Sequence, residues 1–119
     1  DVFLYHKTTN RRVYEEAQMA LDAQIDEAVL LNERGEVTET VRGNLVAVLD
    51  GRRVTPPREV GLLPGTYRAE LLENGEVEER ILHIEDLLAA TAVYSVNSLR
   101  RWVRLNLRLA DARHDVRAS

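Results

Sequence analysis

Two residues of this chain carry side chains suited to demanding chemistry, Lys7 and Glu39, and two short stretches could hold an anion. Read as a strand of period two, Val37-Thr38-Glu39-Thr40-Val41 puts Val37, Glu39 and Val41 on one face. A carboxylate among apolar neighbours is costly there unless a cation or hydrogen-bond donor meets it. Glu39 therefore either faces such a partner or merely ends a hairpin strand. Arg42-Gly43-Asn44 follows at once, a bend of the kind that exposes backbone N–H groups. A second cluster of N–H groups is expected at Gly65-Thr66-Tyr67, where a helix begins, since a helix start attracts phosphate and other anions. An unoccupied surface terminus is the competing reading. Lys7, the only lysine in the chain, leaves the end of an apolar stretch.

The elements that must position these residues can be read in turn. Val2-Phe3-Leu4-Tyr5 is short, apolar and aromatic, a strand that delivers His6-Lys7-Thr8-Thr9 at its end. Thr8 or Thr9 can cap a following helix, in which Val13, Ala17, Ala20 and Leu21 recur at helical spacing. Ala28 to Leu31 reads as a buried strand, and Asn32-Glu33-Arg34-Gly35 as the turn that returns the chain into the Glu39 strand. Leu45 to Leu49 is a second apolar strand, turned by Asp50-Gly51 into Arg52-Arg53-Val54 and ended by Pro56-Pro57, with a loop beyond. A helix runs from the Gly65 region to about Glu73, with Asn74-Gly75 as its stop. Glu76 to Ile84 reads as a strand, Glu85 to Ala90 as a short helix with acids in its first turn, and Ala92 to Val96 as a further strand. Val103, Leu105, Leu107 and Leu109 alternate with polar residues as one half-buried strand, before a polar tail from Asp111. The expected architecture is α+β, a mostly antiparallel, barrel-like sheet with two or three helices, over residues 1–110 and a tail of 111–119.

Composition narrows the function classes. With 119 residues, 45% hydrophobic content and a net charge of −4, the chain suits one domain with a real core. It starts at Asp1 and its one Met is Met19, so it is expected to be a piece of a longer protein or a processed product. The absence of cysteine removes thiolate metal sites and disulfides and is compatible with a reducing cytoplasm. No apolar run approaches the roughly 20 residues a membrane span needs, and no signal-peptide pattern opens the chain. The basic stretch Arg100-Arg101-Trp102-Val103-Arg104 reads as a solvated strand face rather than a nucleic-acid footprint, because one short run in an acidic chain attracts phosphate weakly. His6, His83 and His114 are isolated from other metal ligands, so no metal site is expected, and Trp102 reads as packing.

Four blocks in order, His6-Lys7-Thr8-Thr9, Val37-Thr38-Glu39-Thr40 with Arg42-Gly43-Asn44, Leu62-Leu63-Pro64-Gly65-Thr66-Tyr67-Arg68, and Asn97-Ser98-Leu99-Arg100, resemble the large domain of class IV (fold-type IV) pyridoxal-phosphate enzymes. Among them the first and last blocks look most like the aminodeoxychorismate lyases, in particular those fused behind para-aminobenzoate synthase component I. The resemblance covers the chain but not a whole family enzyme, whose small N-terminal domain would be missing. It implies the large-domain fold of D-amino-acid-aminotransferase-like enzymes and pyridoxal 5′-phosphate as cofactor. It also implies a homodimer that completes its site with the N-terminal region of the same protein. By residue, it implies covalent attachment of the cofactor at Lys7, where a desolvated strand-end amine can be neutral. Glu39 would face the pyridine nitrogen. The amides of Gly65, Thr66 and Tyr67, with the Arg42-Gly43-Asn44 bend, would hold the phosphate. Tyr67 stands where the family often has Thr, which leaves the backbone contact. Asn97, Ser98 and Arg100 would line the substrate side, Arg100 suiting a carboxylate, although a strand-end turn explains them too. The implied reaction releases pyruvate from 4-amino-4-deoxychorismate to give 4-aminobenzoate. A branched-chain or D-amino-acid aminotransferase, or a non-catalytic domain, are the alternatives.

Overall fold

The computed structural model describes residues 2–6 and 27–106. Lys7, Thr8, Thr9, the helix expected near residues 13–21, the strand positions Leu107 and Leu109, and the tail with His114 lie outside the described residues. Within them, strands β1 (Val2–His6), β2 (Glu27–Leu31) and β3 (Val37–Thr40) form a three-stranded sheet in that order. Strands β4 (Asn44–Leu49), β5 (Arg52–Thr55), β6 (Glu78–Glu79), β7 (Ala92–Asn97) and β8 (Arg101–Leu105) form a second sheet, ordered β6-β5-β4-β7-β8. Pairing is antiparallel except for β1 with β2 and β5 with β6. The helices are α1 (Thr66–Glu73) and α2 (Ile84–Ala89), with a short 3-10 turn over Arg58–Val60. Among the described residues no helix is long and apolar enough to cross a membrane.

The alternation of β4 explains how the sheets pack. Leu45, Ala47 and Leu49 join Val54, Val93 and Leu105 on one face, and there they meet Val29, Leu31 and Val37 of the first sheet in a single core closed by Leu82 and Leu87. Val46 points the other way and packs with Val96, Val77 and Leu71 of α1, flanked by Tyr67, Tyr94 and Trp102. The two sheets therefore share one core, joined by the short corner between β3 and β4, which carries the expected curl. Trp102 is a packing residue here: its ring meets Tyr94 edge-on at 5.2 Å, and the Arg53 guanidinium lies 5.3 Å over it.

Three local expectations are revised. The strand expected over residues 76–84 contracts to β6, because only Glu78 and Glu79 find partners on β5. After it Leu82 turns into the core while Ile81 stays exposed. The loop beyond Pro57 contains the 3-10 turn, ended by Gly61 at φ 100°. Finally, Val37 and Glu39 do not share a face. Leu31 pairs with Val37 and Leu30 with Glu39, so Thr38 is an extra residue, a β-bulge that resets the alternation. Directly paired residues share a face, so Val37 stays on the core side with Leu31, and Glu39 emerges beside Leu30 on the other.

Candidate functional site

The bulge turns Glu39 toward the segment before α1. Its carboxylate, only 8% exposed, accepts a hydrogen bond from the Leu63 backbone N–H at 3.1 Å. Asn44, the first residue of β4, clasps the same segment twice. Its Nδ2 donates to the Leu63 carbonyl at 2.9 Å and its Oδ1 accepts from the Gly65 N–H at 3.1 Å. A Cβ on Gly65 would come within 2.8 Å of Asn44 Oδ1, so a larger residue there would push this clasp aside. The loop is thus fixed against the end of β3 and the start of β4 before α1 begins. Gly65 supplies no side-chain cap to α1, so the first-turn amides of Thr66 and Tyr67 have no intrahelical acceptor and carry the positive end of the helix dipole.

Between these elements, the corner Val41-Arg42-Gly43 folds back tightly. The Gly43 carbonyl accepts from Thr40 twice, from its N–H at 3.0 Å and its Oγ1 at 2.9 Å. From the far side, Asn97 Nδ2 donates to the Arg42 carbonyl at 2.9 Å. A Cβ on Gly43 would fall on the Val96 carbonyl oxygen, so the corner lies flat against β7. Asn97 Oδ1 also accepts from the Arg100 N–H at 2.7 Å, shaping the turn from β7 into β8, and Ser98 Oγ in that turn sits 2.8 Å from Thr66 Oγ1.

These walls enclose a cavity of about 280 Å³. Glu39, Arg42, Gly43 and Asn44 line one side, Gly65, Thr66 and Tyr67 the second, and Asn97 and Ser98 the third. Nine of the residues singled out in the sequence are brought together there. Arg100 is exposed on the β7–β8 turn and is not among the lining residues. Lys7 lies outside the described residues, one position past the end of β1. The Tyr67 hydroxyl is engaged elsewhere, accepting from Trp102 Nε1 at 3.0 Å while Arg101 lies 5.1 Å over its ring. That leaves Tyr67 its backbone N–H for the cavity. His83 serves as the N-cap of α2, its N–H donating to the Asp86 carboxylate at 2.8 Å, and among the described residues no group of His, Asp and Glu is arranged to hold a metal.

Two buried charged side chains escaped the sequence reading. Arg68 is 3% exposed, donates to the Pro56 carbonyl at 3.0 Å and pairs with Glu79 at 2.6 Å. Helical spacing marks it as a candidate for neither face, so only the pairing across to β6 reveals it. Glu27 is 2% exposed at the start of β2. Burial pushes its carboxyl above the usual range, against the opposing pull of the Ala28 N–H and other donors. A Glu flanking an apolar strand gives no signal of burial in the sequence.

The arrangement brings a carboxylate and a helix N-terminus with adjacent amides and hydroxyls to the lining of one cavity. A flat ligand with a cationic ring edge and an anionic tail fits that donor set. The profile of the family described as amino-transferase class IV matches residues 1–106. A Schizosaccharomyces pombe protein provisionally assigned as an aminodeoxychorismate lyase is 38% identical over 102 residues, covering 81% of this chain and 44% of that protein. The crystal structure of a provisionally assigned amino-acid aminotransferase from Mesorhizobium loti superposes with a TM-score of 0.74 at 37% identity, covering 91% of this chain and 60% of the other. A provisionally assigned 4-amino-4-deoxychorismate lyase from Legionella pneumophila gives 0.71 at 29% identity, over 87% of this chain and 46% of the other. The chain thus spans about half the length of these relatives.

Proposed function

The chain belongs to the amino-transferase class IV family, and from that premise we propose that it is the cofactor-binding part of a pyridoxal-phosphate enzyme that converts 4-amino-4-deoxychorismate to 4-aminobenzoate and pyruvate. The observation that carries the reading is the pairing of Glu39 with the α1 N-terminus across one cavity. When bound, the cofactor supplies an electron sink for the carbanion formed as the ring proton leaves. Glu39, its orientation held by the Leu63 N–H, would face the pyridine nitrogen and favour its protonated form. The amides of Gly65, Thr66 and Tyr67 and the Arg42-Gly43-Asn44 corner take the phosphate. The Ser98 hydroxyl, beside that of Thr66, extends the anion end toward the substrate side assigned to Asn97 and Arg100. Lys7 would hold the cofactor, and its amine would be the base for the ring proton.

In this reading the remaining contacts come from an N-terminal small domain and from the second subunit of a homodimer. The similarity to the Mesorhizobium loti protein supports a second reading, transfer of the amino group to a 2-oxo acid through the same Lys7 and Glu39.

Three measurements on the protein in its natural full-length context test this. Added pyridoxal phosphate should give the absorbance of a bound cofactor, and borohydride reduction with peptide mapping should locate the pyridoxyl group on Lys7. Aminodeoxychorismate should yield pyruvate and 4-aminobenzoate. Attachment at another residue rejects the site, and amino transfer without pyruvate release selects the second reading.

A further inference from the structure

Glu27 is the one buried carboxyl, among the described residues, that the reading above does not use. It sits at the start of β2, on the side where the two sheets meet, and its surroundings are polar. The Ala28 N–H donates to its Oε1 at 2.9 Å, the Arg42 backbone N–H adds a second bond, the Thr40 hydroxyl also reaches the carboxyl, and Ser95 Oγ lies 3.3 Å from its Oε2. From Ser95 a short chain continues. Ser95 Oγ is 2.7 Å from Thr40 Oγ1, and Thr40 Oγ1 is 2.9 Å from the Gly43 carbonyl. This line joins Glu27 to the cavity wall through residues 55 positions apart in the sequence.

Counting hydrogens along the line assigns the protonation state. Three oxygen-to-oxygen contacts need three hydrogens, and the two hydroxyls supply only two. If Glu27 is ionised, it draws the hydroxyl hydrogens toward itself, either Ser95 donating to the carboxylate and Thr40 to Ser95, or Ser95 donating to Thr40 and Thr40 to the carboxylate. The Gly43 carbonyl then keeps only the Thr40 N–H. If Glu27 is the neutral acid, it donates to Ser95, Ser95 donates to Thr40, and Thr40 donates to Gly43, so that every contact is a hydrogen bond. We propose that Glu27 is a positioning residue for the cofactor cavity: as the neutral carboxylic acid it orders Ser95 and Thr40 and so fixes the Arg42–Gly43 corner. Burial works in the same direction, raising its pKa. The facing groups are Thr40 of β3, Ser95 of β7, the backbone of Val2 across from β1, and Arg42. The Arg42 guanidinium favours ionisation, but its side chain is exposed and water screens it.

The proposal rests on the cofactor reading, and its test separates the two. Infrared spectra of the protein without cofactor at neutral pH should contain the carbonyl stretch of a protonated carboxyl group that Glu27→Gln removes. Affinity for pyridoxal phosphate should fall about fivefold in Glu27→Ala, the equivalent of one neutral hydrogen bond. Glu27→Gln, whose amide can donate to Ser95 as the acid does, should restore it. As pH rises through the Glu27 titration, the wild type should lose affinity relative to the Gln variant. Absence of the infrared band, or identical pH profiles for wild type and Gln variant, overturns the proposal. If Ala does not fold, the band and the Gln comparison still decide. Failure of the wild type to bind pyridoxal phosphate at any pH defeats the cofactor reading instead, while the band reports on Glu27 independently.

Discussion

Two tight bends flank β3, and they are held in opposite ways. At Asn32–Glu36 most restraints are local: Asn32 Oδ1 accepts from the N–H groups of Arg34 and Glu36, the Asn32 N–H reaches the Glu36 carbonyl, and Gly35 takes φ 77°, with Asn32 Nδ2 to the Val60 carbonyl and the Glu36–His83 bridge as the distant ties. At Arg42–Gly43–Asn44 the chain also bends on a glycine, but most of its restraints come from far away. Asn97 holds the Arg42 carbonyl, Ser95 orients Thr40, and Asn44 grips Leu63 and Gly65. A bend held mainly by its own residues depends little on the rest of the chain, whereas one held mainly from outside takes its shape from the assembled fold. The second kind can therefore define a cavity whose walls lie in several parts of the chain, and it is the second bend that lines one.

The sharpest way to break this comparison is at the group the outer bend presents. Glu39→Gln should leave cofactor affinity largely intact and lower kcat about a hundredfold or more, the scale of removing one preorganised electrostatic group. Near wild-type turnover would remove Glu39 from its assigned role. The two glycines give a matched pair. Gly43→Ala should cost about 1–3 kcal/mol of stability, because its Cβ meets the Val96 backbone, and should weaken cofactor binding as well. Gly35→Ala meets no atom within 4 Å and should cost only about 1 kcal/mol for its left-handed backbone, with cofactor binding unchanged. Equal effects on binding would show that the bends are not functionally distinct; denaturant melts and cofactor titrations measure both. The smallest effect belongs to Glu36, whose carboxyl is held below its usual value by the Asn32 amide and then by Arg34. A depressed acid stabilises the fold above its unfolded pKa and loses that contribution as pH falls through the folded one. Glu36→Gln should lower stability slightly at neutral pH and flatten the acid side of the profile, the difference from wild type vanishing as pH falls through the folded pKa.

How much of this was legible in the sequence follows the same division. The Asn32–Gly35 turn, the Asp50–Gly51 turn and the α1 boundaries are written in local residue types, and all stand where their Gly and Asn residues indicate. Glu39 was legible as a carboxylate in need of a partner. The partner, the Leu63 N–H, was not, because nothing near Glu39 encodes a contact 24 residues away. The bulge at Thr38 was hidden for a related reason: period-two reading assumes an unbroken ladder, and the break depends on the register with β2. Glu27 and Arg68 were missed because burial of a charge is decided by what packs over it. Three of the four family blocks contribute residues to the cavity walls, whereas Lys7, Thr8 and Thr9 of the first lie outside the described residues.

The brevity of β6 has a consequence for how the molecule meets other chains. A sheet ends in a row of open amides and carbonyls, and a long, flat, apolar border invites a foreign strand to extend it. Here the border beyond β5 is occupied for only two residues, both glutamates, which are tied down by Arg52 and Arg68. The rest of β5 exposes Arg52 and Arg53. That margin gives an incoming strand few ladder bonds and a charged lining, so the sheet is closed to growth on that side without a dedicated cover.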